Sequence, residues 1–184
     1  MEIVFVTGNE MKLKSCIEVF KDSNINIINE DIKCPEMQFD TIEEVAIQKA
    51  KYAYSIIKKP LIINDCGLII PALNDFPGPY TKYVENTIKE DGILNLMKDK
   101  KDRYTYYLDV LVYIDKEIKI FKSVTPGSIS LEKEGTNGYG YDKIFIPKDM
   151  EKPLACYSDD EILKVWMNNT YKDFYEYVKK ELSD

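Results

Sequence analysis

A buried strand that runs directly into a glycine and then into a helix is the feature that most constrains this chain. The apolar run Ile3-Val4-Phe5-Val6 is followed at once by Thr7-Gly8-Asn9-Glu10-Met11-Lys12. Because glycine has no side chain, backbone N–H groups at Gly8 can approach an anion closely, and a helix beginning near Asn9 points its positive end at the same place. Lys12 lies one turn into that helix and adds a full positive charge. The segment therefore predicts an α/β fold with a phosphate cradle at the end of its first strand.

A second stretch, Ile62-Ile63-Asn64-Asp65-Cys66-Gly67-Leu68, follows some fifty residues later. Its apolar run ends in Asp65, and we expect this carboxylate at the mouth of the same sheet. Carboxylate oxygens are ligands that Mg²⁺ accepts, together with phosphate oxygens. The two stretches together predict a nucleoside triphosphate site.

The composition excludes several kinds of chemistry. The sequence contains no histidine and a single arginine, Arg103. Ser–His and Cys–His nucleophile pairs, histidine bases and histidine-ligated zinc are therefore excluded. Carboxylates and lysines must carry any reaction, and this suits Mg²⁺-assisted phosphoryl chemistry.

Charge and cysteine content bear on the partners. The net charge is −7, and no basic face is visible, so a nucleic-acid backbone is not expected as partner. The four cysteines form no C-x-x-C pair, and we find no signal peptide and no apolar run of membrane-spanning length. We expect a reduced, soluble, cytoplasmic protein with no membrane partner.

The pattern of apolar residues alternates between strands and helices, as in an α/β protein that forms a single domain over residues 1–184. The predicted strands are 2–6, 25–28, 61–63, a hairpin of 104–114 with 118–124, 127–131 and 143–147. Residues 104–114 alternate, which predicts one buried face. The predicted helices are 9–20, 41–59 with a capping box at Thr41 and Glu44, 81–88, 91–97, and 159–182 with an interruption near 168–169.

Six short motifs occur in an order and spacing that resemble the inosine triphosphate pyrophosphatase (Ham1-like) family. Each motif is weak by itself, but the ordered set is specific. The motifs are Thr7-Gly8-Asn9-x-x-Lys12, Pro35-Glu36-x-Gln38, Ile47-Gln48-Lys49-Ala50, Asn64-Asp65-Cys66-Gly67-Leu68, Pro77-Gly78-Pro79-Tyr80-x-Lys82 and Gly138-Tyr139-Gly140-Tyr141-Asp142.

The resemblance implies a fold, a reaction and a set of partners. The fold is an elongated, two-lobed α/β structure, a mixed sheet with flanking helices and a central nucleotide cleft, and the assembly is a homodimer. The reaction is hydrolysis of the α–β anhydride of a non-standard purine nucleoside triphosphate, such as ITP, XTP or dITP, to the monophosphate and pyrophosphate. The cofactor is Mg²⁺ or Mn²⁺.

The resemblance also implies roles for individual residues. Asp65 is the catalytic carboxylate and, with Glu36, a metal ligand. The residues expected to bind substrate are Thr7, Gly8, Asn9, Lys12, Lys49, Cys66, Lys82, Tyr139, Gly140, Tyr141 and Asp142. Ordinary structural roles remain open for some of them. Glu36, Lys49 and Lys82 could be solvated surface residues, and the ring of Tyr141 could equally cap the hydrophobic core.

The C-terminal segment departs from the family pattern. Members of the family place a lysine a few residues before a Ser-His-Arg triplet, and those groups read the carbonyl that deamination leaves on the purine. Counted without gaps from Glu151, the corresponding positions here are Ile162, Trp166, Met167 and Asn168. Because hydrogen bonds to a substrate group give a site its largest discrimination, we expect altered or relaxed base selectivity.

Three functions remain open at this point. The first is a working pyrophosphatase with altered or relaxed base choice, and the second keeps the inosine and xanthine preference through substitute groups such as Asn168 or Lys164. The third is a non-catalytic nucleotide-binding protein that kept the fold. A protein that merely binds has little need for a complete metal and phosphate set, so the sequence favours catalysis through Lys12, Glu36, Lys49, Asp65 and Lys82.

Overall fold

The computed structural model describes residues 1–35, 38–167 and 169–181. The chain divides into two compact units. The first unit contains Met1–Asp65, Asp109–Ser123 and Trp166–Asp184, and the second contains Cys66–Leu108 and Val124–Val165. Among the described helices, none combines the length and the apolar character that crossing a membrane requires.

Strands and helices alternate in the first part of the chain, and the predicted mixed α/β fold is confirmed. The strands are β1 (Glu2–Val6), β2 (Asn26–Glu30), β3 (Leu61–Ile70), β4 (Phe76–Pro77), β5 (Tyr104–Ile114), β6 (Ile118–Ile129) and β7 (Phe145–Pro147). The α-helices are α1 (Glu10–Phe20), α2 (Ile42–Ile57), α3 (Thr81–Asn86), α4 (Lys89–Leu96), α5 (Asp159–Trp166) and α6 (Asn169–Glu181).

The strands form a mixed sheet in the order β2-β1-β3-β5-β6-β7, with β4 paired to β3. β1 pairs in parallel with β2 along its whole length and with β3 at two positions, where Val4 faces Leu61 and Phe5 faces Ile62. The β3–β4 and β6–β7 pairs are antiparallel. Asp65 therefore lies on β3 beyond the last residue that pairs with β1.

Side-chain caps fix where the first two helices begin. The Oδ1 atom of Asn9 accepts hydrogen bonds from the backbone N–H groups of Met11, at 3.0 Å, and Lys12, at 3.1 Å. At the start of α2, the Thr41 hydroxyl accepts from the Glu44 N–H and the Glu44 carboxylate accepts from the Thr41 N–H, both at 3.1 Å. The predicted capping box is confirmed, and each such cap stabilises its helix by about 1 kcal/mol.

Two strands differ from their predictions, one in its length and the other in the burial of its residues. The prediction that the third strand ends at Ile63 is wrong, since β3 continues through Asp65 and Gly67 to Ile70. Asp65 lies inside a strand and not at its end. β5 was expected to bury one face, but every residue from Asp109 to Ile114 is buried.

Two smaller differences concern element boundaries. The separate strand predicted at 127–131 is the end of β6, which runs without a break from Ile118 to Ile129. The interruption predicted in the last helix is confirmed, since α5 ends at Trp166 and α6 begins at Asn169.

Aromatic rings dominate the core of the first unit, where α6 packs against β1, α1 and β5. The ring of Phe174 lies 5.7 Å from that of Phe20 and 5.2 Å from that of Tyr113, centroid to centroid. Tyr171 meets Phe5 edge-on at 6.1 Å. These contacts place the first turn of α6 directly against the strand that leads into the phosphate cradle predicted from the sequence.

The only arginine has a structural position in the second unit. The guanidinium of Arg103 donates to the backbone carbonyls of Ile129, at 2.6 Å, Met97, at 3.0 Å, and Ser130. Burial lowers the pKa of Arg103. Three carbonyls therefore occupy the guanidinium, which ties β6 to the end of α4.

Candidate active site

The segment between β1 and α1 forms a turn stabilised by its own side chains. The backbone N–H of Asn9 donates to the Thr7 hydroxyl at 3.1 Å, and the Asn9 side chain caps the helix as described above. The Thr7 N–H donates to the Glu30 carbonyl at 3.1 Å. Thr7 and Asn9, both predicted to bind substrate, thus also fix the shape of the loop that carries Lys12.

Asn29, which the sequence did not single out, holds this loop from the neighbouring strand. Its amide group donates to the carbonyls of Phe5, at 3.2 Å, and Thr7, at 2.9 Å. An asparagine directly after a predicted strand is a weak signal by itself. Its contribution follows only from the β1–β2 register, which places it beside the end of β1.

Two lysines converge on the stretch Asn64–Asp65. The ammonium of Lys12 donates to the backbone carbonyl of Asn64 at 2.8 Å. The ammonium of Lys49, on α2, donates to the Asp65 carboxylate at 2.7 Å, and both of those side chains are partly exposed. Residues that are distant in sequence and were predicted as one phosphate and metal set, Lys12, Lys49 and Asp65, are thus brought together within the first unit.

The side chain of Asn64 points away from these lysines and into the protein. It is hydrogen-bonded to Asp109 of β5 and to Tyr171 of α6. Asn64 belongs to a motif found in the sequence, whereas neither Asp109 nor Tyr171 was predicted to have a role. The available signal was a charged residue in the middle of the apolar run Leu108-Asp109-Val110-Leu111.

A second carboxylate lies beside the loop. A Cβ atom on Gly8 would lie 3.2 Å from a carboxylate oxygen of Asp31, so the glycine leaves room for that group. Two lysines and two aspartates, Lys12, Lys49, Asp31 and Asp65, carry no net charge. A triphosphate would therefore need a divalent cation here to offset its own negative charge.

The donor set fits a hard cation. Among the described residues, no three His, Cys, Asp or Glu side chains come together as a ready metal site. Mg²⁺ usually takes one or two carboxylates and completes its shell with water and phosphate oxygens, so the Asp65 carboxylate suits Mg²⁺ or Mn²⁺. Glu36, the other predicted ligand, lies outside the described residues.

In the second unit, the loop Gly138–Asp142 is organised around a buried carboxylate. Asp142 is 2% exposed, and its Oδ2 atom accepts from the Tyr139 N–H at 3.0 Å. Gly138 has a φ of +73°, and a Cβ atom there would lie 2.3 Å from Asp142 Oδ2, so only glycine fits. Burial raises the pKa of Asp142 to about 7, against the opposing effect of the Tyr139 hydrogen bond and with a further rise from Glu85.

The two tyrosines of this loop have different environments. Tyr139 is 46% exposed, whereas Tyr141 is 1% exposed and its hydroxyl donates to the Thr81 carbonyl at 3.1 Å. The structure thus gives Tyr141 the core position that the sequence left open. Gly140, between them, also has a positive φ of +59°.

The remaining predicted positions differ in their exposure. The side chain of Lys82 is 70% exposed and forms an ion pair with Glu85 at 2.9 Å. Cys66 is partly buried in β3. At the positions matched to the family's base-reading groups, Ile162 is buried, Trp166 and Met167 are partly buried, and Asn168 lies outside the described residues.

Comparison with known families supports the motif reading. The model of the Ham1 family matches residues 3–165. The chain is 39% identical over 157 residues to the dITP/XTP pyrophosphatase of Methanothermobacter marburgensis, covering 84% of this chain and 83% of that protein. It is 40% identical over 162 residues to the dITP/XTP pyrophosphatase of Saccharolobus solfataricus, covering 88% and 84% of the two chains.

Solved structures agree with these relatives. A HAM1 protein from Coxiella burnetii matches with a TM-score of 0.84 at 27% identity, covering 98% of this chain and 99% of that one. The Ham1 protein of Staphylococcus aureus matches with a TM-score of 0.83 at 27% identity, covering 98% of this chain and 100% of that one. The resemblance inferred from the six motifs is confirmed.

The buried Asp142 predicts a specific pH dependence of stability. Its folded pKa of about 7 lies above that of an unfolded aspartate, so the protonated group stabilises the fold at low pH, and this contribution is lost as the pH rises to about 7. Relative to Asp142→Asn, the wild-type free energy of unfolding should fall by about 2 kcal/mol between pH 5.5 and 8. Urea unfolding at both pH values measures this.

The exposed Asp149 supplies the matched control. Asp149→Asn should follow the wild-type pH dependence. A wild-type and an Asp142→Asn protein with parallel pH profiles would contradict the prediction.

Proposed function

The chain belongs to the Ham1 family, and from that premise we propose that it hydrolyses the α–β anhydride of a non-standard purine nucleoside triphosphate. Water attacks the α-phosphorus, the α–β bridging bond breaks, and the products are the monophosphate and pyrophosphate. Relatives at 39% and 40% identity are dITP/XTP pyrophosphatases. The observation that carries the proposal is the convergence of Lys12 and Lys49 on Asn64–Asp65.

The two lysines act on the phosphates. Each ammonium offers three donors and a full positive charge, and phosphate oxygens are stronger acceptors than a backbone carbonyl. Lys12 would exchange its bond to the Asn64 carbonyl for a phosphate oxygen. Lys49 would remain close to Asp65 and neutralise charge that develops on the leaving pyrophosphate.

Asp65 acts on the attacking water. Its carboxylate can accept a hydrogen bond from water and take its proton. The chain contains no histidine that could act as this base. Mg²⁺ or Mn²⁺, held by Asp65 and Glu36, would withdraw charge from the phosphates and lower the pKa of a water molecule. Because Asp65 is already fixed by Lys49, little reorganisation is needed before attack.

For the nucleoside end we propose residues of the loop Gly138–Asp142. The exposed ring of Tyr139 offers a face on which any purine can stack, and stacking does not discriminate between exocyclic groups. Asp142 orders the backbone that presents this ring. With no histidine in the chain to read the purine carbonyl, we propose that the base selectivity is relaxed relative to a site with the full Lys and Ser-His-Arg set.

Removing the charge of Asp65 tests the proposed chemistry. Asp65→Asn keeps the size of the side chain and loses both the metal-binding charge and the base, so kcat should fall by roughly 10²-fold or more. Product analysis by ion-exchange chromatography should show pyrophosphate and monophosphate from the wild type, and excess EDTA should abolish turnover. Asp22→Asn, at an exposed position of the same unit, is the control. Orthophosphate and a diphosphate as primary products would overturn the proposal.

Lys12 tests the assignment of the phosphate end. An ammonium at the phosphates contributes equally to every triphosphate, so Lys12→Ala should raise KM and lower kcat by similar factors for ITP, GTP and ATP. Lys14, two residues further along α1 and exposed, provides the control variant Lys14→Ala, which should change neither constant. Factors that differ widely between the three bases would place Lys12 elsewhere.

A substrate panel tests the proposed selectivity. If about 1–3 kcal/mol of charge-assisted hydrogen bonding to the purine carbonyl is missing, the ratio of kcat/KM for ITP over GTP should be about one to two orders of magnitude smaller than that of a family member that carries the Lys and Ser-His-Arg set. Parallel kinetics of both proteins with ITP, XTP, GTP and ATP measure the ratio. Equal ratios would show that other groups read the base. Binding of these nucleotides without any hydrolysis would instead identify a non-catalytic member.

A further inference from the structure

A buried set of polar side chains connects the C-terminal helix α6 to the strand that carries Asp65. We call Tyr171, Asn64 and Asp109 the Asn64 network. The Tyr171 hydroxyl donates to Asn64 Oδ1 at 3.1 Å, over a separation of 107 residues in the sequence. The amide nitrogen of Asn64 donates to a carboxylate oxygen of Asp109 at 3.2 Å and to the Val110 carbonyl at 3.4 Å.

The partners fix the orientation of the Asn64 amide. A carboxylate and a carbonyl are both acceptors, so the NH₂ group must face Asp109 and Val110. The opposite orientation would set the amide oxygen against the carboxylate and the NH₂ group against the hydroxyl. The side chain of Asn64 is therefore held in a single arrangement by α6 on one side and β5 on the other.

Burial makes this arrangement stiff. Asn64 is 8%, Asp109 4% and Tyr171 1% exposed, so water cannot readily replace a lost partner. A buried polar group without a partner is costly, and each member of the network thus resists displacement of the other two. Any movement of the Asn64 side chain must be transmitted to its own backbone.

That backbone belongs to the proposed active site. The Asn64 carbonyl holds the Lys12 ammonium at 2.8 Å, and the next residue is Asp65, which binds Lys49 at 2.7 Å. We propose that the Asn64 network is a positioning device that sets the Asn64–Asp65 peptide, and through it Lys12 and Asp65, for attack on the triphosphate. The proposal rests on the pyrophosphatase function proposed above, and Tyr171, Asn64 and Asp109 are positioning residues that do not touch the substrate.

Removing one hydroxyl tests the network while preserving the packing. Tyr171→Phe keeps the ring that meets Phe5 but leaves Asn64 Oδ1 without its donor. Because small misplacements of catalytic groups cost up to about 10²-fold, kcat should fall by about 10-fold, and affinity for a non-hydrolysable α,β-methylene triphosphate should weaken about 3-fold. Tyr175→Phe, one turn further along α6 where the ring packs on Phe20, is the control and should change neither value.

A second test exchanges the amide of Asn64 and the carboxylate of Asp109, so that both side chains keep their size. Asn64→Asp alone would place two carboxylates side by side in a buried site, and kcat should fall by about 100-fold. Adding Asp109→Asn restores one donor and one acceptor between residues 64 and 109 with their positions reversed, and the Tyr171 hydroxyl can still donate to residue 64, but the Val110 carbonyl loses its donor. The double variant should therefore regain about 10-fold of the lost kcat and not the whole of it.

Thermal melts and circular dichroism accompany each variant, so that kcat refers to folded protein. A lower melting temperature in Tyr171→Phe with wild-type kcat and wild-type analogue affinity would overturn the proposal, because a merely structural network behaves in that way. Failure of the double variant to recover would overturn it as well. If the wild type hydrolyses no triphosphate, the proposed function fails by itself, and analogue binding then decides: equal affinities of wild type and Tyr171→Phe overturn the network, and a weakened variant supports it.

Discussion

A strand buried on both faces must pair every polar group that it carries, because water is not available to do so. This constraint governs β5, which is buried from Asp109 to Ile114, and most of β3, in which only Asp65 and Cys66 are partly exposed. The polar residues of β3 have their hydrogen-bonding partners in two directions. Asn64 bonds inward to Asp109 and Tyr171, whereas Asp65 bonds outward to Lys49. The core and the proposed active site therefore meet at consecutive residues of one strand.

Local features of the fold could be predicted from the sequence. The strand 2–6 and the capping box at Thr41 depend on residues within four positions of one another, and both are confirmed. The length of β3 was missed because Asn64, Asp65 and Gly67 are typical of a turn when their partners are unknown. Those partners come from β5, α2 and α6, and no local pattern contains them. Lys12 and Asp65 were predicted as one site from the residues themselves, whereas the approach of Lys49 to Asp65 was accessible only through the ordered motifs of a resemblance.

The arginine has a structural role, whereas the lysines near Asp65 are proposed to act on the substrate. The guanidinium of Arg103 is occupied by three backbone carbonyls of the second unit, where its planar set of donors matches three acceptors at once. The lysines near Asp65 have one described partner each, and an ammonium on a flexible stem can exchange that partner for a phosphate. With histidine absent, this division leaves lysine and carboxylate as the functional groups of the proposed site, in agreement with the donor preferences of Mg²⁺.

The bond between Lys12 and the Asn64 carbonyl has a consequence for how an anion arrives. A carbonyl carries no net charge, so the ammonium of Lys12 retains its full monopole, whereas Lys49 and Asp65 together form an ion pair whose field decays quickly with distance. At physiological ionic strength a monopole acts over a Debye length of about 8 Å. For a triphosphate bound as proposed, the attraction by Lys12 would be opposed by the Asp31 carboxylate beside the same loop and by the overall charge of −7. Added salt screens both fields, and the encounter rate reflects the balance between this local attraction and the global repulsion.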